Sequence, residues 1–333
     1  MAYIHVKRVG NNKYYTLRVS LRKGNKVITK DLVNLGRDLS KIKIEDLEKK
    51  YHKEIRKSYS TIKKFLDTNY YVEKAGKLKI KKNPYLSKEL MIEIEATKIH
   101  YNSKFLRLDE LTKMEIHKNF LINFAFNTTS MEGNTITLAE AVRLLQENKT
   151  PKDKTLREIY DLQNTEKVFF DIINKNKKIN HDFIIQIHDK LLENVDERKG
   201  YRTTDIRVFR AHFDATPGIY VRTDMNLLLE WYEKNKKRLH PLVMAALFHQ
   251  KFEKIHPFAE GNGRTGRMLM NYILMKHGYP PFIVRKARRS EYLDALGEGD
   301  KSNIHDADSK YFKELIKFLA EELIDSYWNN FLV

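Results

Sequence analysis

The stretch His256-Pro257-Phe258-Ala259-Glu260-Gly261-Asn262-Gly263-Arg264-Thr265-Gly266-Arg267 joins two apolar helical patterns, and the rest of the chain is best read outward from it. Ahead of it, residues 241–255 open with a proline, which a first helical turn accepts because an N–H there has no partner to lose. Val243, Leu247 and Phe248 give that segment an apolar side. Behind it, Met268, Leu269, Tyr272, Ile273 and Met275 form a second stripe, which Gly278 and Pro280-Pro281 stop. The intervening residues therefore form a glycine-rich turn that runs into a helix N-terminus.

Such a turn suits an anion, because unpaired N–H groups and the helix dipole both face it. Arg264 and Arg267 lie three apart, share a helix face and can clamp phosphate oxygens. Glu260 supplies one carboxylate, which suits a Mg²⁺ shared with water and phosphates. His256, at the helix end before Pro257, is the candidate general base. Gly261-x-Gly263-x-x-Gly266 matches a dinucleotide fingerprint, but that fold needs a strand immediately ahead and a helix stands there. No G-K-[ST] follows, which excludes a Walker loop, and the chain has no H-E-x-x-H. Singly, a His beside a proline is an ordinary helix end and paired arginines solvate a surface. Together, a base, a carboxylate, three glycines and two arginines at one helix entrance need another explanation.

Working outward, residues 87–99, 109–125, 138–147, 153–173, 180–193, 224–238, 265–277 and 308–329 read as further helices. Thr137-Leu138-Ala139-Glu140 fits a capping box. Between two of these helices, Ile206, Val208, Ile219, Tyr220 and Val221 flank Asp214-Ala215-Thr216-Pro217-Gly218, which predicts a β-hairpin flap over 203–223. Toward the N-terminus, Tyr3-Ile4-His5-Val6, Tyr14-Tyr15-Thr16-Leu17-Arg18-Val19 and Val27-Ile28-Thr29-Lys30-Asp31-Leu32-Val33 predict a three-stranded meander. Leu47, Tyr51 and Ile55 then share a helical face, predicting helix from about residue 39 to 70 or 71. Asn83-Pro84 breaks the pattern, so residues 1–85 and 86–333 are expected to be separate domains.

Composition agrees with this division. Of 333 residues, 62 are Lys or Arg and 44 Asp or Glu, a net +18. Residues 1–85 contribute +15 of it and the remainder +3. A basic module on a near-neutral body suggests a nucleic-acid or acidic partner through residues 1–85, or else a lysine-rich solvated face. The absence of cysteine excludes disulfides, thiolate zinc sites and a cysteine nucleophile. The first residues have no apolar run behind their charges, and no stretch reaches the length of a membrane span, so a cytoplasmic protein without a membrane partner is expected.

The motif resembles the Fic-domain signature H-x-F-x-[DE]-G-N-G-R-x-x-R, met by His256, Phe258, Glu260, Gly261, Asn262, Gly263, Arg264 and Arg267. Gly200-Tyr201-Arg202, His240-Pro241, and Asn271 with Gly278-Tyr279-Pro280 also look like that family, over residues 90–330. The resemblance implies a mainly α fold: a Fic-type helical core with a β-hairpin flap, here joined to the small N-terminal β-meander and helix module. It implies an enzyme, a protein adenylyltransferase that moves AMP from ATP to a Ser, Thr or Tyr hydroxyl of a target protein. His256 is then the base and Glu260 the ligand of Mg²⁺ or Mn²⁺. Gly261, Asn262, Gly263, Arg264 and Arg267 hold phosphates, and Phe258 anchors the loop. Val208, Phe209, Arg210 and Ala211 of the flap would line the docked target segment, and Tyr292 would line the adenine pocket.

Upstream, Thr128-Thr129-Ser130-Met131-Glu132-Gly133 resembles the family's inhibitory motif [ST]-x-x-x-E-[GN]. By that resemblance Glu132 reaches Arg267 and autoinhibits the enzyme. Other Fic chemistries stay open: transfer of a different nucleotide, or removal of AMP with Glu132 positioning water. A nucleic-acid-binding regulator with a nucleotide-sensing Fic core, an antitoxin partner and a homodimer also stay open.

Overall fold

A computed structural model of the chain describes residues 1–10, 12–173, 176–207 and 214–332. Three antiparallel strands, β1 (Ala2–Val9), β2 (Asn12–Lys23) and β3 (Lys26–Gly36), form the meander in the order β1-β2-β3. The register pairs Val6 with Tyr15, Ile4 with Leu17 and Ala2 with Val19. Because side chains alternate, these six share one face. That face packs on Leu39, Ile44, Leu47, Ile55, Ile62 and Leu66 as a small core of its own.

The helix predicted after the sheet is two helices, α1 (Ile44–Ile55) and α2 (Tyr59–Gly76), joined by a 3₁₀ turn at Arg56–Ser58. Tyr51 leaves helical geometry at φ −129°, ψ 31°, and its hydroxyl donates to the Leu32 carbonyl. The tether to the sheet thus outweighs helical continuity. The far end of α2 carries Tyr71 and Ala75 into the second, larger core.

That core is helical throughout: α3 (Lys88–Ser103), α4 (Glu110–Met131), α5 (Leu138–Glu147), α6 (Leu156–Ile173), α7 (His181–Leu191), α8 (Val221–Asn235), α9 (Pro241–Ile255), α10 (Asn262–Lys276), α11 (Arg289–Asp300) and α12 (Ser309–Asn330). Side-chain caps from Ser87, Asp109, Asn180 and Asp308 start α3, α4, α7 and α12. The predicted Thr137–Glu140 capping box starts α5. Helices α9 and α10 run through the centre, buried on nearly every side, with Lys251, Arg264, Arg267 and Asn271 buried among their apolar neighbours.

Two elements differ from expectation. Helix α11 falls outside the segments read as helical, and it contains Gly297 and Gly299. Gly299 is a point of close approach: a Cβ there would lie 2.7 Å from the Gln250 side chain. The predicted hairpin has no strand among its described residues. Gly218–Tyr220 is a 3₁₀ turn and Val221 begins α8. Short β-branched runs fit either period, and here burial follows the helix: Val221 is buried while Ile219 and Tyr220 are exposed. Residues Val208, Phe209, Arg210 and Ala211 lie outside the described residues.

Candidate active site

The site begins where α9 ends. His256 is the C-cap residue at φ 52°, ψ 62°, a left-handed conformation uncommon outside glycine. Its N–H closes on the Phe252 carbonyl at 3.0 Å, and Pro257 prevents the helix from continuing. The exposed carbonyls of this helix end are taken by Arg202, whose Nε donates to His256 O at 2.8 Å and whose Nη2 donates to Ile255 O at 3.3 Å. Arg202 also donates to Thr204 O and Thr216 O, so one buried guanidinium ties both roots of the 205–215 segment to the helix end. Sequence reasoning assigned no role to this residue.

The His256 Nδ1 lies 3.1 Å from the Glu253 carbonyl. A carbonyl only accepts, so Nδ1 carries the proton and Nε2 keeps its lone pair. Burial lowers the imidazole pKa below its usual value, against the opposing Glu253 bond. The neutral, basic form is therefore favoured at pH 7, as a general base requires.

The loop after His256 is held rigidly. Phe258 is fully buried and stacks on the His188 ring, centroids 3.7 Å apart and planes 3° from parallel. The His188 Nε2 donates to the Glu260 carbonyl at 3.0 Å. Asn262, expected to cradle phosphate, spends its side chain on the loop itself. Its Oδ1 accepts from Phe258 N at 2.9 Å and its Nδ2 donates to Phe258 O at 2.8 Å. Asn262→Ala should therefore cost about 2 kcal/mol of unfolding free energy, from two lost bonds and two orphaned buried groups. Urea denaturation checks this. Gly261 precedes the helix at φ +76°, and a Cβ there would lie 2.5 Å from Leu192 Cδ2.

Helix α10 enters directly under this loop. Its first i→i−4 bond runs from Thr265 N to Gly261 O, so the N–H groups of Asn262, Gly263 and Arg264 precede the ladder. Arg264 is 2% exposed and is held by Asp161, with Glu260 Oε1 at 3.4 Å from its Nη2. Its Nε is buried and has no hydrogen-bond partner among the described residues. An orphaned cationic donor at a helix entrance fits an absent anion.

Glu260, the expected metal ligand, is ion-paired with Arg157 as well as Arg264. Among the described residues no group of three or more His, Cys, Asp or Glu could hold a metal. One carboxylate still fits Mg²⁺, which typically takes one or two protein carboxylates and completes its shell with water and phosphate oxygens. Arg157 and Asp161 come from α6, about a hundred residues from the motif, and nothing in the local pattern marks them.

Arg267 is the most thoroughly engaged of the motif residues. Its Nε donates to Thr128 Oγ1 at 2.7 Å, and its Nη2 donates to Thr128 O at 3.0 Å and to Glu132 Oε1 at 2.6 Å. Glu132 is the C-cap of α4, followed by Gly133 at φ +103°. Desolvation opposes ionisation of its carboxyl, but Arg267, helped by Arg264 and Arg289, outweighs that and holds the pKa below the usual glutamate value. The carboxylate sits over Gly263: a Cβ on that residue would lie 2.2 Å from Glu132 Oε1. Glu132 thus occupies the mouth of the α10 cradle as an internal anion.

Beneath Arg267 lies a layer that sequence reasoning did not foresee. Burial lowers His249 to about 3 and raises Glu253 to about 8, so both are neutral at pH 7. The Tyr292 hydroxyl is bonded to His249 Nε2. Tyr292 is 1% exposed, its ring 13° from parallel to His249 with centroids 6.0 Å apart and its centroid 5.9 Å from that of Phe318. It was expected to line an adenine pocket, but here its ring is packed in the core and offers no open face to a base.

Residues 178–274, which contain this loop, all of α9 and all but the last two residues of α10, match the model of the Fic/DOC family. The chain is 33% identical over 221 residues to "Protein adenylyltransferase Fic" of Aedes aegypti, covering 63% of this chain and 42% of that protein. The protein of the same name from Nematostella vectensis is 34% identical over 212 residues, 61% of this chain and 47% of its own. The chain spans less than half the length of these curated relatives. A Fic family protein from Desulfovibrio desulfuricans shares the fold at 25% identity and a TM-score of 0.59, covering 76% of this chain and 78% of that one. A Fic-domain-containing signaling protein from Bacteroides thetaiotaomicron, at 24% identity, also shares the fold with a TM-score of 0.64, covering 71% and 95%. The Fic/DOC match begins downstream of Glu132, Arg157 and Asp161, which reach the site from α4 and α6. No described helix is long and apolar enough to cross a membrane.

Proposed function

We propose that the protein is an adenylyltransferase that joins AMP from ATP to a Ser, Thr or Tyr hydroxyl of a target protein. One observation carries this reading: a neutral histidine with a free Nε2 stands at the mouth of a helix N-terminus lined by Arg264 and Arg267, where an acidic side chain already sits. In this reaction Nε2 of His256 takes the hydroxyl proton as the target oxygen bonds to the α-phosphorus. The bond from that phosphorus to the bridging oxygen breaks, and pyrophosphate leaves. The first-turn N–H groups of α10, Arg264 and Arg267 hold the phosphates and offset charge that accumulates on them. Glu260 would hold Mg²⁺, which supplies further charge neutralisation on the phosphates when bound.

The position of ATP's label tests the reaction class. With Mg²⁺ and ATP labelled in either the α- or the γ-phosphate, protein-bound label is expected from the α position alone. Label from the γ position would make the enzyme a kinase. Loss of AMP from a premodified target, with no gain, would reverse the direction and assign Glu132 to water positioning.

Glu132 is proposed as the restraint on this activity. It holds the guanidinium needed for the terminal phosphate and fills the anion seat over Gly263. The separate standing of the basic module and its boundary near residue 85 are likewise proposals; two hydrophobic clusters support two units, although the clusters divide within α2, between Leu66 and Tyr71, ahead of residue 85.

A further inference from the structure

The sheet at the N-terminus projects a basic ribbon that nothing in the described chain covers. Strand β1 pairs with β2 only between Val9↔Asn12 and Ala2↔Val19. Met1 extends this edge by one position, its backbone bonding Ser20 in both directions, and beyond it β2 and β3 continue alone through Leu21↔Ile28, Arg22↔Val27 and Lys23↔Lys26. All residues from 21 to 31 are exposed. Segment 20–30 contains Arg22, Lys23, Lys26 and Lys30 and no acidic residue. Residues 1–37 as a whole hold nine Lys or Arg against a single acid, Asp31, which Arg18 neutralises at 2.5 Å. The ribbon also exposes Leu21 (52%), Val27 (68%) and Ile28 (48%). A bare two-stranded ribbon with exposed apolar side chains gains little stability alone and leaves open edges, so a covering partner accounts for its retention.

We propose that this ribbon docks into the major groove of double-stranded DNA. Three residue pairs at about 3.4 Å per residue extend about 10 Å. The groove is about 12 Å wide and 8.5 Å deep and admits a two-stranded ribbon. Strand alternation puts Lys23, Lys26 and Lys30 on the same face as Leu21 and Ile28, so that face can enter the groove with its long cations reaching the flanking phosphates, while Arg22 lies on the opposite face. Leu21 and Ile28, directly paired, can contact thymine methyl groups on the floor. Single-stranded nucleic acid is the poorer fit, because it needs aromatic platforms and segment 20–30 has none.

The test uses the full chain and a fluorescent mixed-sequence duplex of about 25 base pairs, titrated between about 50 and 200 mM salt. Wild type should bind with affinity falling steeply as salt rises. The variant R22A/K23A/K26A/K30A removes four exposed cations outside the cores, and its circular dichroism and melting should match wild type. Its log–log salt slope should be shallower by about 3 to 4. A single strand of equal length and polyglutamate should compete at least tenfold less well than duplex. No duplex binding at the lowest salt, an unchanged slope in the variant, or equal competition by either competitor would each overturn the proposal.

Discussion

Replacing Glu132 by glycine should raise incorporation of α-labelled AMP by about 10- to 100-fold. The physical basis is competition for one guanidinium and one anion seat. ATP binds productively only after Glu132 leaves Arg267 and the space above Gly263. If that opening costs about 1.4–2.8 kcal/mol, productive affinity falls by the same 10- to 100-fold. The estimate stays modest because the pair is only half buried: the Glu132 side chain is 40% exposed and the Arg267 side chain 4%. Glu132→Gln separates the contributions. It keeps the shape but loses the charge, so its activity should fall between those of wild type and Glu132→Gly. Equal incorporation by all three proteins would remove the restraint.

The pH behaviour of this pair has a definite sign. The folded-state pKa of Glu132 is depressed, so the stabilisation is fully present above the ordinary glutamate value of 4.5 and is lost as pH falls through the lower folded value. The ratio of Glu132→Gly to wild-type activity should therefore stay constant from pH 6 to 8. A ratio that collapses within that interval would assign the restraint to another group.

Removing the base should have a larger effect. General-base catalysis contributes about 10²- to 10⁴-fold, so His256→Asn in the Glu132→Gly background should lower the rate by that amount. Asparagine is preferred to alanine because position 256 sits at φ 52°, a conformation that asparagine tolerates. With the fold thus preserved, an unchanged melting temperature and a lost rate would identify a chemical role. A rate within threefold of the parent would exclude His256 as the base. Since burial lowers the pKa of His256, the acid limb of the pH–rate profile should lie below the ordinary histidine value of 6.5.

Much of this site is legible locally. Proline at the start of α9, the two apolar stripes and the glycine turn predict helix–loop–helix with an N-terminus facing an anion, and α9 and α10 lie as predicted. Thr137 and Glu140 predict the capping box for the same reason: both partners lie within one turn. The N-terminal strands are legible because one face alternates and the turns contain glycine. Local pattern failed where two periods compete, as at Ile219-Tyr220-Val221, and where a glycine serves packing, as in α11.

What the sequence alone determined is the inventory of this protein and its local geometry: His256 at a helix end, Arg264 and Arg267 on one helix face, an acidic residue after α4 and a basic first segment. Only the tertiary structure decided their partners. It turned Asn262 inward, buried Tyr292 against His249, brought Arg157 to Glu260 and Asp161 to Arg264, and clamped the His256 carbonyl with Arg202. The reason is distance along the chain. Caps and stripes are set by neighbours within about four residues, whereas each of these side chains except Asn262 finds its partner tens to more than a hundred positions away, and all but the part-exposed Arg157–Glu260 pair satisfy a buried charge or donor there.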